Sequence, residues 1–157
     1  MMLRKILLPL LLLLQLLAAG ASFAAAPVDI VSAEFGVFTT GEDEERVFSP
    51  GEVIPLVPGQ RYGWVLEVRS PRRSVSVREE ALLAGAPVKA GDHETITFER
   101  RRLLGQRQLV PVGGRIFGEW TVGPDDRPGP RQLRVTVEEQ SSVEFSYELR
   151  PPGTRAP

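Results

Sequence analysis

From residue 28 onward, apolar and polar side chains alternate with a period of two, and Gly or Pro interrupts the alternation at short intervals. Strands that each bury one face produce this pattern. In QRYGWVLEV (60–68), Tyr62, Trp64, Leu66 and Val68 share one face, while Arg61, Glu67 and the following Arg69 take the other. RQLRVTVEE (131–139) sets Leu133, Val135 and Val137 against Arg134, Thr136 and Glu138. SVEFSYELR (142–150) does the same with Val143, Phe145, Tyr147 and Leu149 against Glu144, Ser146, Glu148 and Arg150. The last two runs, joined by a short polar link at 140–142, predict a C-terminal hairpin.

The same alternation predicts further strands at 28–39, 46–57, 74–80, 93–103 and 115–122. Turn signals about every ten residues point to a sandwich or barrel. A helix needs apolar residues at three- and four-residue spacing, and only VREEALLAG (77–85) approaches that before Gly85, Ala86 and Pro87 stop it. That stretch reads as one helical turn or an edge strand. DDRPGP (125–130) precedes a clean strand pattern and reads as a corner carrying the chain from one sheet to the other. There Pro128 and Pro130 restrict the backbone, Gly129 permits a positive φ, and an Asp side chain accepts hydrogen bonds from nearby N–H groups. Residues 151–157, PPGTRAP, read as a frayed tail.

The beginning of the chain departs from this pattern. Arg4 and Lys5 precede fourteen mostly apolar residues, 6–19, which small residues follow. That is the build of a signal peptide, expected to be cleaved after Ala24. A membrane-crossing helix needs about twenty apolar residues, and Pro9 and Gln15 weaken an already short run. The 133 residues after the cut fit one domain, 25–150 plus the tail. They contain no cysteine, which excludes a disulfide framework, a thiolate metal site and a lipoprotein anchor. Their 17 basic and 20 acidic residues give a net charge of −3, against nucleic-acid binding, which favours a basic domain. The expected product is exported without a stable membrane anchor. It is placed in a bacterial periplasm, with an extracellular location as the alternative; arginine in excess of lysine supports the bacterial source.

Candidate chemistry is sparse. His93 is the only histidine, and AGDHET reads as an exposed turn. A zinc site there would need carboxylates for most of its ligands. GEDEE (41–45) lacks the EF-hand spacing and reads as a solvated hairpin tip; Asp125 and Asp126 read as corner caps. No serine lies in a Gly-x-Ser-x-Gly elbow, and no glycine run has phosphate-loop spacing. Trp64 and Trp120 both fall on apolar strand faces and are expected in the core. Arg100, Arg101, Arg102 and Arg107 form the best surface candidate. Along a strand, Arg100 and Arg102 project to one face and Arg101 to the other. Such arginines serve either to bind an anionic partner or to discourage edge-to-edge sheet pairing.

Three stretches carry a family resemblance: VDIVSAEFGVFT, VIPLVPGQRYGWVLEV and GEWTVGPDDRPGPRQLRVTVEEQSSVEFSYEL. Glu34-Phe35-Gly36, Ile54-Pro55-Leu56 leading to Gly63-Trp64, and Trp120 followed by Asp126, Pro128 and Gly129 resemble the bacterial exported proteins grouped as DUF3859. The resemblance implies an immunoglobulin-like β-sandwich of uncharacterised function and carries over no catalytic or ligand residue.

The expected fold is therefore all-β, an immunoglobulin-like antiparallel sandwich of seven to eight strands. The expected function is a non-enzymatic binding or interaction module engaging a protein or a cell-envelope component, with no cofactor. Two rivals stay open. A small carbohydrate-active hydrolase requires a cleft with two carboxyl groups about 5–10 Å apart. A sugar-binding module requires an accessible planar aromatic.

Overall fold

Period-two patterning becomes two sheets laid face to face. The computed structural model describes residues 27–83, 87–89, 95–97 and 100–153. The leader 1–24, His93 and the end of the tail lie outside the described residues. In chain order the strands are β1 (Asp29–Thr40), β2 (Arg46–Pro50), β3 (Val53–Pro55), β4 (Arg61–Arg69), β5 (Val75–Leu83) and β6 (Pro87–Lys89). They continue with β7 (Thr95–Thr97), β8 (Arg100–Leu109), β9 (Arg115–Thr121), β10 (Gly129–Val137) and β11 (Ser141–Arg150).

The first sheet runs β2-β1-β4-β9 and the second β3-β11-β10-β5-β8, while β6 and β7 pair separately. This order carries the immunoglobulin plan: β1, β4 and β9 stand as strands A, B and E, and β5, β10 and β11 as C, F and G. Among the described residues nothing flanks β9 on the side where an immunoglobulin D strand lies. Every pairing is antiparallel except β3 with β11.

Several expectations are corrected. Among the described residues the sandwich holds nine strands, not seven or eight. The extra strand comes from 46–57, which divides at Gly51-Glu52 and sends β2 to one sheet and β3 to the other. The single strand expected at 93–103 becomes β7 and β8. The ambiguous 77–85 stretch is neither a helical turn nor an edge: its residues through Leu83 belong to β5, between β10 and β8. Period-two burial of Val75, Val77 and Glu79 outweighs the local helical spacing.

Other expectations hold. GEDEE closes the β1–β2 hairpin, with the Gly41 N–H donating to the Glu45 carbonyl at 2.8 Å. The corner after β9 does carry the chain between sheets. There Asp126 Oδ2 accepts from the Gly123 N–H at 2.9 Å, and Gly129 has φ +128°. In the β10–β11 turn Glu138 and Glu139 both adopt left-handed φ, 53° and 56°. The Glu138 carboxylate compensates by accepting from the Ser76 N–H at 2.7 Å. Among the described residues no helix is long and apolar enough to cross a membrane.

The core lies between the sheets. Trp64, Leu66 and Ile116 face Val77, Leu133, Val135 and Leu149, all nearly or fully removed from solvent. Each such side chain contributes about 1.5–3 kcal/mol. The Trp64 ring occupies the space that Gly118 leaves open on the neighbouring β9: a Cβ there would come within 2.4 Å of the indole. At Gly63, a Cβ would lie 1.9 Å from the Gly118 carbonyl oxygen. Backbone cannot yield as a flexible side chain does. Gly63→Ala is therefore expected to cost about 3 kcal/mol, at the upper end for overpacking. Gly51→Ala, with open space around its Cβ, should stay within about 0.5 kcal/mol, as ordinary surface changes do. Urea unfolding of both variants checks the contrast.

Candidate functional site

The four arginines singled out from the sequence do not share one surface. Pairing with β5 places Arg100 opposite Leu83, Arg101 opposite Leu82, Arg102 opposite Ala81 and Arg107 opposite Val77. Ala81 and Val77 stand on the inner face, opposite or beside the core positions Leu133 and Val137. Arg102 and Arg107 therefore take the face toward the space between the sheets, and Arg100 shares the parity of Arg102 at the end of the strand. Arg101 faces outward with Leu82. A register shift at Glu79/Glu80 separates Arg102 from Arg107.

Arg107 is committed inward. Its Nη2 lies 3.1 Å from Glu79 Oε1, and the same oxygen accepts from Trp64 Nε1 at 2.7 Å. The Glu79 side chain is 3% exposed and that of Arg107 41%. A carboxylate thus sits inside the sandwich, bonded to an indole from the opposite sheet and reached by an arginine from the edge strand. Sequence reasoning missed Glu79. The available signal was its inward parity with Val75 and Val77.

At the other end of the same open side lies a cleft of about 400 Å³. The first sheet and its corner contribute Tyr62, Trp120, Thr121 and Asp126; the second contributes Leu133, Arg131, Tyr147, Arg102 and Leu104. The volume suits a small ligand. Aromatic rings floor it: Tyr147 stacks on Phe35 at 4.4 Å, and Tyr62 lies 5.9 Å from both Tyr147 and Trp120. Burial pushes the phenols of both Tyr62 and Tyr147 above their ordinary value. Both are therefore protonated at neutral pH.

Arg131 Nη2 donates to the Arg127 carbonyl at 3.0 Å and lies 3.7 Å from Asp126 Oδ1. Its Nε is buried without a hydrogen-bond partner. The expectation for Trp64 holds, since it is fully buried; Trp120 is only half-buried, packs on the core margin and lines the cleft. Asp126 is the one carboxylate lining it among the described residues, so the cleft offers no pair of acids there. Among the described residues no three His, Cys, Asp or Glu side chains gather as a metal site.

The outer face of the first sheet holds a separate cluster. Arg61 Nε and Nη2 donate to the two Glu119 oxygens at 2.7 and 2.8 Å, and the Arg46 guanidinium stands 4.5 Å from the Phe117 ring centre. Such partly exposed pairs contribute at most about 1 kcal/mol each.

This strand order and two-sheet core define an immunoglobulin-like β-sandwich. The chain belongs to the family described as the PM0630 beta sandwich domain, whose model matches residues 33–150. Among solved structures it is similar to an immunoglobulin-like protein (PA1606) from Pseudomonas aeruginosa. The two are 17% identical with a TM-score of 0.50, over 81% of this chain and 99% of that one. At that identity the likeness shows the fold alone. No curated protein matches the chain.

The buried Glu79 sets a pH dependence. Burial holds its carboxyl above the ordinary value of 4.5, against the opposing pull of Arg107 and the Trp64 N–H. Between the ordinary and the raised value the native state keeps a proton that the unfolded chain has released. Stability therefore falls as pH rises through that window. Glu79→Gln keeps an oxygen for the indole N–H and removes the titration. The Tm of the unaltered protein should fall relative to that of the variant as pH climbs from the carboxylate range toward neutrality, which near-UV circular dichroism melts will read.

Proposed function

We propose that the protein is an exported, non-enzymatic interaction module of the bacterial cell envelope, released into the periplasm by removal of residues 1–24. Its partner is a protein that adds an acidic, extended segment to the edge of β8. One observation carries this reading: β8 is a ten-residue strand that pairs only with β5 among the described residues and is solvent-exposed at most positions. Leu103 and Leu104 are 53% and 41% exposed beside Arg100, Arg101 and Arg102. An unpaired ladder supplies affinity through main-chain hydrogen bonds, and side chains supply specificity. The arginines repel a second copy of this edge and favour an acidic strand, so the charge that blocks self-pairing also selects the partner.

Membership of the DUF3859 group is the finer family placement we propose. The residues that carry that resemblance have structural duties: Gly36 permits close approach of Ser49, Trp64 fills the core, and Asp126 and Gly129 shape the corner. A family defined by such positions shares a scaffold, which suits recognition through an edge.

A photo-reactive amino acid at Leu103, in the full chain expressed in cells, should yield a discrete protein adduct. The double charge reversal Arg100→Glu and Arg101→Glu should remove that adduct, and the same probe at Val47 on β2 should give none. Adducts that survive the reversal, form equally from Val47, or fail to form at Leu103 overturn the reading.

A further inference from the structure

The cleft at the end of the sandwich is independent of the β8 ladder and has its own chemistry. We propose that it binds a small cyclic carboxylate bearing hydroxyl groups, the size of one uronic acid unit. Three features specify this class.

The first is charge. Arg102 and Arg131 face a single Asp126 among the lining residues, which leaves one positive charge for a singly charged anion. Arg131 is the more enclosed of the two, half-buried where Arg102 is exposed. A guanidinium takes a carboxylate through two parallel N–H bonds.

The second feature is a ring surface. Trp120 is the half-buried tryptophan, and it borders the cleft beside Tyr62. The apolar face of a saccharide ring packs on such an aromatic body, as Leu104 and Leu133 enclose the remaining side.

Hydroxyl recognition is the third. Tyr62 and Tyr147 both line the cleft, and a phenol O–H can donate to a ligand oxygen. Asp126 already accepts from the Gly123 N–H through Oδ2, and its Oδ1 remains an acceptor for a ligand hydroxyl at 3.7 Å from the Arg131 guanidinium. A neutral sugar would leave the arginine unmatched. A simple apolar carboxylate would leave Asp126 and the phenol unmatched. The cleft volume of about 400 Å³ lies near the lower end of small-molecule sites, suiting one ring rather than a chain.

The test uses the two tryptophan indole N–H resonances of the full chain, with glucuronate, glucose and cyclohexanecarboxylate as probes. Glucuronate is expected to shift the Trp120 signal, leave that of buried Trp64 in place, and bind at about 1 mM, as befits a ligand of that size. Glucose and cyclohexanecarboxylate should each bind at least about tenfold more weakly, the factor expected for one lost charged or paired polar contact. Arg102→Gln, on an exposed edge position, should weaken glucuronate about tenfold without changing the melting curve. Arg131→Gln should weaken it further.

No Trp120 shift with glucuronate, or equal binding of glucose, overturns the proposal. Equal binding of cyclohexanecarboxylate overturns the sugar assignment and leaves an apolar carboxylate as the ligand. Because Arg100 and Arg101 are untouched in these variants, the β8 adduct should persist in Arg131→Gln, so the two readings fail separately.

Discussion

The Trp64 indole, laid over Gly118 with its N–H bonded to Glu79, is the interaction on which the two-sheet arrangement depends. It starts on β4 of one sheet and ends on β5 of the other. Apolar packing alone tolerates sliding between sheet faces, because the hydrophobic effect is non-directional. A 2.7 Å hydrogen bond to a 3%-exposed carboxylate does not tolerate it. Removing one partner of such a buried set costs about 3–5 kcal/mol, because the other is stranded. Arg107 completes the set from the edge strand, so the charge is neutralised where the sandwich meets solvent.

That anchor explains why one side of the molecule can stay open. β9 ends the first sheet and β8 ends the second, with no ladder joining them among the described residues. The Glu79 set bridges the opening in its middle. Toward the corner lies the cleft, whose base is the stack of Phe35, Tyr147, Tyr62 and Trp120. The rings fill the sandwich end without sealing it, because Trp120 lies at the core margin. Among the described residues, the β8 edge and the cleft both lie on this open side, where no strand flanks β9.

Arg102 and Arg107 illustrate how a bulge distributes function. Five positions apart, they would point to opposite faces of a regular strand, and the shift at Glu79/Glu80 is what returns Arg107 to the inner face that Arg102 already shares. With it, Arg107 turns to the buried acid and Arg102 to the cleft. Bulges commonly re-aim side chains in this way.

Local chemistry was legible without a structure. The strands 60–68, 131–139 and 142–150 follow from alternation alone, since a period of two admits only one buried face. The corner at 125–130 follows from Pro, Gly and Asp, whose preferences act within a few residues. The division of 46–57 between two sheets was not legible, because what separates β2 from β3 is the choice of partner strand and not the local pattern.

The burial of Glu79 was hidden for the same reason: its indole partner stands 15 positions away and its arginine 28. The cleft gathers Tyr62, Arg102, Trp120, Asp126, Arg131 and Tyr147 from both sheets and the corner between them. Sequence fixes which face of its own strand each residue occupies. Only the registers between strands, set by packing over the whole core, decide which of those faces meet.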